Sequence, residues 1–377
     1  VSTVREYFGH GNVALHMLGG EMYKEGRTVM SVPDAIFGVE LEIENFPNRS
    51  QAHTLFMYKD DPSLRNNGKE LVSYPTKAKY FEEMLTSVFK HHKITQAKNY
   101  TERCSTHVHM NAQDMTMEQV KVLALVYQTV ERLLFGFIGN EREDNIYCVP
   151  WHQSGITASF VDRLDKNPGR QAANWIKYAA LNFKTLRELG TLEFRHLHGT
   201  CDVPFLVQWI NLLSCMQRYA STHTFAEVKH TVLEMNTVSN YDFYLREIFQ
   251  EHANVLTAIE DYKGLLSVGV IDTKLMLLAK PEEKEDMPRL FGFEAAQNDV
   301  LRGILERDRL RRAEAFAVPA PVQPQHPDWY DQGRGVVRES TRRHSNVHPT
   351  QERGYLRNRW RNLGNGVWVF PEVEVAR

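Results

Sequence analysis

Ile36-Phe37-Gly38-Val39-Glu40-Leu41-Glu42-Ile43-Glu44 is the stretch from which the rest of the chain is read. From Val39 onward, apolar and acidic residues alternate without a break, the two-residue period of a β-strand. Successive side chains of a strand leave opposite faces of the sheet. Val39, Leu41 and Ile43 therefore point to a core, and Glu40, Glu42 and Glu44 point the other way, about 7 Å apart. Three carboxylates in a row repel one another. Two settings tolerate them: bulk water over a solvated sheet face, or hard cations that take oxygen ligands. Alternation alone does not choose between the two.

Two further stretches carry polar groups at the same period. Thr106-His107-Val108-His109-Met110-Asn111 places His107, His109 and Asn111 on one strand face, where the histidines are either ordinary strand residues or a converging metal pair. In Gly190-Thr191-Leu192-Glu193-Phe194-Arg195-His196-Leu197-His198, Glu193 and Arg195 share a face, and Leu192 and Phe194 share the other with His196 and His198. A carboxylate beside a guanidinium is a cross-strand salt bridge or a metal–phosphate pair, in which Glu holds the cation and Arg the phosphate oxygens. Folded onto one sheet, the three strands give a wall of metal ligands with a phosphate-binding Arg.

The intervening segments read as a mixed α+β chain. Residues 53–59 are a strand that ends at Asp60-Asp61-Pro62, Asn66-Asn67-Gly68 is a turn, and residues 69–73 are short and extended. Phe81, Met84, Leu85, Val88 and Phe89 fall at helical spacing. Thr116 and Gln119 form a capping box ahead of a helix whose apolar face holds Val120, Leu123, Val126, Val130, Leu133 and Leu134. Residues 145–172 read as a long polar loop, a length that suits a lid. Strands follow at 178–183 and 191–197. Asp202 then caps a long apolar helix, and helical patterns run to about residue 278.

The 377 residues, 42% of them hydrophobic and 24% charged, suit a soluble globular protein. The four cysteines form no C-x-x-C pair and are expected as reduced thiols in a cytoplasmic setting. Neither a signal peptide nor an apolar run of about 20 residues is visible. Three parts are expected: an irregular extension over 1–35, a body over 36–300, and a tail over 301–377. The tail holds 14 Arg and no Lys against 9 acids, whereas residues 1–300 hold 31 basic and 38 acidic residues. Arg with Tyr355, Trp360 and Trp368 suits contact with nucleic acid or with an acidic protein; a solvated extension of biased composition accounts for it equally. A Lys-free tail also escapes self-modification by an enzyme that acylates lysine amines. No G-x-x-x-x-G-K-[ST] loop and no Ser-His-Asp or Cys-His set is present.

In order and spacing, the run 37–44, then Asp61-Pro62-Ser63-Leu64 with Glu70-Leu71-Val72-Ser73, then Cys104 to His109, then Glu193-Phe194-Arg195 with Gly199-Thr200 resemble the amidoligase family. The resemblance covers roughly residues 36–220. It implies a curved antiparallel sheet flanked by helices, similar in fold to glutamine synthetase and glutamate–cysteine ligase. It further implies an ATP- and Mg²⁺- (or Mn²⁺-) dependent ligase that joins a carboxylate to an amine through an acyl phosphate, and a homo-oligomer is compatible with it. By the same resemblance Glu40, Glu42, Glu70, Glu193 and His107 match metal ligands. Arg195, His107, His109 and Asn182 match nucleotide-side residues, and Asp61 matches a substrate-facing acid. Two positions depart from the family pattern: Pro62 stands for a turn glycine and Ser105 for the glycine after the cysteine. The substrates implied are a carboxylate and an amine on small molecules, peptides or protein side chains, in a bacterial cell or one infected by a virus. The other function classes compatible with these residues are a metal-dependent amide or ester hydrolase and a non-catalytic scaffold that reuses the fold.

Overall fold

The computed structural model describes residues 2–11, 23–47 and 51–278, apart from 140, 141, 144, 146, 155–160, 162, 163, 165, 176 and 237, together with 361–362 and 368–369. The chain divides into two compact units, residues 1–152 with 157–277, and residues 153–156 with 278–377.

The first unit is built on one open, antiparallel, seven-stranded sheet. Its strands are β1 (Ile36–Ile43), β2 (Phe56–Asp60), β3 (Lys69–Ser73), β4 (Thr76–Lys77), β5 (Ser105–Asn111), β6 (Leu181–Asn182) and β7 (Thr191–His198). Their order is β2-β3-β1-β5-β7-β6, with β4 also on β1. β3 and β4 line the same flank of β1, Val72 opposite Glu40 and Thr76 opposite Phe37. Pro75, between them, has no N–H to give the ladder.

The alternation expected for β1 is met. Phe37, Val39, Leu41 and Ile43 are buried, and Glu40 and Glu42 are partly open on the other face. The apolar side is covered by helices. Phe81 starts the helix Phe81–His92 and meets the ring of Phe37 edge-on, centroids 6.2 Å apart. Thr116 and Gln119 form the expected reciprocal box at the start of the helix Met117–Ile138. Asp202 accepts from the Phe205 N–H and caps the helix Val203–Thr222, with a proline in its first turn. Asn66 and Asn67 both lie at positive φ, 52° and 59°, a backbone region that asparagine tolerates better than most residues, so the turn into β3 falls where the sequence places it.

Four local differences have physical causes. β2 starts at Phe56 because His53 is tied into the loop: its N–H donates to Tyr58 Oη, and its carbonyl accepts from the Phe56 N–H. Only Leu181–Asn182 of the expected strand 178–183 form a ladder with β7; Tyr178 bonds Val149, and Ala180 is shared, its N–H on the Val149 carbonyl and its carbonyl on the Arg195 N–H. The described part of 145–172 contains the helices Trp151–Ser154 and Pro168–Asn174 and buries Trp151. Glu131, buried on the helix Met117–Ile138, accepts the N–H groups of Trp151 and His152 and holds that start in place. Glu44 lies past the end of β1. It is 1% exposed, and its carboxylate accepts from the Arg65 N–H and the Thr101 hydroxyl. It therefore joins two loops and leaves the row of Glu40 and Glu42.

Residues 3–9 also have regular structure: Thr3 caps the helix Val4–Phe8, and Val4 is fully buried. No described helix is long and apolar enough to cross a membrane. In the second unit, β8 (Arg361–Asn362) pairs antiparallel with β9 (Trp368–Val369). The remainder of the Arg-rich segment lies outside the described residues.

The helix Tyr262–Leu278 crosses the helix Met117–Ile138 at Gly269, where an added Cβ would lie 2.1 Å from the Thr129 carbonyl oxygen. Gly269→Ala must push the two helices apart, at a cost of about 1–3 kcal/mol. A thermal melt is expected to show a Tm drop of several degrees for Gly269→Ala and none for Gly11→Ala, where an added Cβ meets nothing within 4 Å.

Candidate active site

Strand register brings the polar groups together. Glu40 on β1 lies opposite His107 on β5. One rung along, Gly38 lies opposite His109, His109 opposite Glu193 on β7, and Glu193 opposite Asn182 on β6. Gly38 occupies the site face of β1 without adding a side chain. Five of the sequence-derived residues thus fall on two adjacent rungs, and Arg195 stands two residues along β7 on the face of Glu193.

The side chains interlock. His107 Nδ1 is 3.1 Å from Glu40 Oε2 and 3.5 Å from Glu193 Oε1. Asn182 Nδ2 donates to Glu193 Oε2 at 2.6 Å, and Arg195 Nη1 donates to Glu193 Oε1. Arg195 Nε donates to the Tyr147 carbonyl at 3.1 Å. Glu193 and Arg195 keep only 6% and 9% of their side-chain surface exposed, so this pair is not a solvated surface bridge.

One arrangement points to a cation. Glu40, His109 and Glu193 each offer a ligand atom, all within 4.8 Å of one another. His109 Nε2 is 3.2 Å from Glu40 Oε1, close enough to pair but off the line of a hydrogen bond, and among the described residues it has no hydrogen-bond partner although it is buried. The opposite ring nitrogen, Nδ1, is 3.0 Å from Thr191 Oγ1. A histidine held at one nitrogen by a neighbouring hydroxyl presents the other to a metal in a fixed direction. Two carboxylates and an imidazole suit Mg²⁺ or Mn²⁺, with Zn²⁺ as a competitor.

The electrostatics agree with that assignment. Burial works to raise the Glu40 carboxyl, but His107 and His109 beside it outweigh that and hold the group well below the usual carboxylate range. Burial likewise opposes ionisation of Glu193, and Arg195, His107 and His109 overcome it. Burial drives His107 down, with help from Arg195. In His109 the same burial is outweighed by Glu40, and the ring is raised. A cation bound at Nε2 would take the place of that proton.

Glu42 and Glu70 lie opposite each other across β1 and β3, one rung further out. Glu42 accepts the Ser105 N–H at 2.8 Å, and Glu70 pairs with Lys59 at 3.0 Å. Burial, with Asp61 and Glu70 nearby, pushes the Glu42 carboxyl up to about 7 against the pull of Ser105 and Arg195. Asp61 sits beyond the end of β2, where Oδ1 accepts the Ser63 N–H at 2.8 Å and closes the turn over Pro62. Glu42, Glu70 and Asp61 therefore form an acidic end beside the Glu40–His109–Glu193 cluster.

Sequence reasoning passed over Arg142. It is 1% exposed, and its guanidinium donates to the carbonyls of His196 (2.8 Å) and Arg195 (2.9 Å). These carbonyls lie where the β5–β7 register shifts, between Thr106 and Val108. Arg142 thus secures the irregular backbone that aims Arg195. In sequence it sits in Asn140-Glu141-Arg142-Glu143-Asp144, which has the composition of a solvated loop and carries no signal of burial.

Residues 47–217 match the family model described as "Putative amidoligase enzyme". That segment is of the amidoligase family. No curated protein matches the chain. The amidoligase segment carries Asp61, Glu70, His107, His109, Asn182, Glu193 and Arg195. Glu40 and Glu42 precede it and are joined to it by the pairing of β1 with β3 and β5.

The cluster predicts metal-linked stability. At about 100 times its Kd, Mg²⁺ or Mn²⁺ is expected to stabilise the fold by roughly 2–3 kcal/mol, read as a rise in Tm. Glu193→Gln is expected to abolish the rise. An equal rise in wild type and variant would remove Glu193 from the cation site.

Proposed function

We propose that this protein is an ATP-dependent carboxylate–amine ligase that works through an acyl phosphate. The observation that carries the reading is the Glu193–Arg195 pair: a guanidinium held against the cluster of two carboxylates and an imidazole. Arg195 spends Nη1 on Glu193 and Nε on Tyr147, and among the described residues Nη2 has no hydrogen-bond partner. That leaves a charged donor for a phosphate oxygen beside a cation site, the combination phosphoryl transfer needs. The amidoligase match supports ligase chemistry.

Glu40, His109 and Glu193 are the residues assigned to hold Mg²⁺ or Mn²⁺. The cation supplies neutralisation of the charge that builds on the transferring phosphoryl group. Arg195 orients the γ-phosphoryl oxygens and stabilises the same charge. A substrate carboxylate oxygen attacks the γ-phosphorus, the bond to the bridging oxygen breaks, and ADP leaves. The amine nitrogen then attacks the acyl carbon, the C–O bond to phosphate breaks, and the amine gives up a proton as the amide forms. The acidic end, Glu42, Glu70 and Asp61, repels a second carboxylate and attracts a cationic amine, so the amine is placed there. All four cysteines are free thiols, in keeping with a reducing, ATP-rich cytoplasm.

Hydroxylamine tests the reading, because it intercepts acyl phosphates as hydroxamates whatever the natural amine is. With a panel of carboxylates, ATP and Mg²⁺, wild type is expected to form a hydroxamate and release ADP in equal amounts. Glu40→Gln and Arg195→Ala are each expected to lower that rate at least 100-fold, with melting still cooperative. ATP-independent turnover, or full activity in both variants, would overturn the assignment.

A further inference from the structure

The site has an aromatic flank that the ligase reading does not use. Tyr147 has 47% of its surface open, although large rings are usually covered. Its ring meets that of Tyr178 edge-to-face, centroids 5.3 Å apart. The Arg195 guanidinium carbon lies 5.8 Å from the Tyr178 ring centroid, and Lys177 Nζ lies 5.7 Å from it. The two tyrosines come from segments remote in sequence, and backbone bonds fix both. Tyr147 N–H donates to Asn145 Oδ1 at 2.8 Å. Val149 N–H donates to the Tyr178 carbonyl at 2.8 Å, and Ala180 N–H to the Val149 carbonyl at 2.7 Å. Arg195 joins this pair to the sheet through its N–H on the Ala180 carbonyl and its Nε on the Tyr147 carbonyl.

The chemistry of this flank selects its ligand. Aromatic side chains offer a stacking surface for a planar base whatever its sequence identity. Two cations beside the rings favour an anionic ligand and disfavour the amine. Arg195 faces both the rings and the cation cluster, so a ligand that spans them carries a flat ring at one end and phosphates at the other. Resting on the ligase reading above, we infer that Tyr147 and Tyr178 form the base-binding subsite of the nucleotide, with Lys177 and Arg195 on its phosphate side. A flat aromatic acid would also fit the rings, but it lacks the phosphates that Arg195 and the cluster would hold.

Calorimetric titration of the full chain in Mg²⁺ tests the subsite, with a non-hydrolysable ATP analogue and with inorganic tripolyphosphate as ligands. In wild type the ATP analogue is expected to bind more tightly than tripolyphosphate. Tyr147→Ala and Tyr178→Ala are expected to weaken the analogue about ten-fold, the scale of one base stacked on an aromatic ring, and to leave tripolyphosphate unchanged. Tyr147→Phe keeps the ring and is expected to bind as wild type does. If tripolyphosphate binds and the analogue binds equally well to wild type and both Ala variants, the base subsite is wrong and the phosphate reading stands. If neither ligand binds wild type, the ligase reading and the subsite fall together. Loss of tripolyphosphate binding in the Ala variants would reassign the tyrosines to holding Arg195 in place.

Discussion

Two carboxylates, Glu40 and Glu193, are largely withdrawn from water on one face of the sheet, and the site is arranged around keeping them charged. An isolated ionised carboxylate in such a place is costly, and the group protonates unless partners compensate. Here the compensation is specific. His107 bridges the two acids, Arg195 and Asn182 hold Glu193, and His109 stands against Glu40. Arg195 shares β7 with Glu193, and every other partner comes from a strand neighbouring the acid it serves, so the antiparallel register of β1, β5, β7 and β6 is what makes most of the compensation available. His109 Nε2, a buried ring nitrogen without a hydrogen bond among the described residues, is where this arrangement is left open.

Much of this was legible in the sequence because a strand writes its orientation as a period of two. Val39 to Ile43 announced both the core face and the acidic face, and Glu193 with Arg195 announced a shared face on β7. The helix caps at Thr116 and Asp202 were legible for the same reason: a cap is a local device, made by residues three apart. Glu44 failed because periodicity cannot say where a strand stops. The strand ends at Ile43, where the Asn99 side chain and the loop at Thr101 take over the hydrogen bonding. Arg142, Glu131 and Tyr147 failed for a different reason. Their roles depend on carbonyls, amides and rings that lie far away in sequence, and nothing in their own neighbourhood records the partner.

The amidoligase match and the sheet divide the site unevenly. The matched residues supply β2 to β7, whereas β1 lies before them and is central in the sheet. A fragment limited to the matched residues would retain Arg195 and Glu193 and lose Glu40, and with it the partner of both histidines. The unit of structure therefore begins earlier than the unit of sequence similarity, by at least the eight residues of β1.

The placement of β1 has a consequence for how the chain survives its own synthesis. β1 is made early, yet it is flanked on both sides by strands that come later, so until β3 and β5 exist it offers two open edges. Such an edge invites pairing with the same strand of another nascent chain. In self-pairing, the row of Glu40 and Glu42 would face identical acids across 5 Å or so, and like charges directly opposite destabilise a sheet. His109, whose ring Glu40 holds toward the charged form, arrives only with β5. The glutamates that the finished site needs thus also act as gatekeepers, favouring the chain's own β5 over a neighbour's β1.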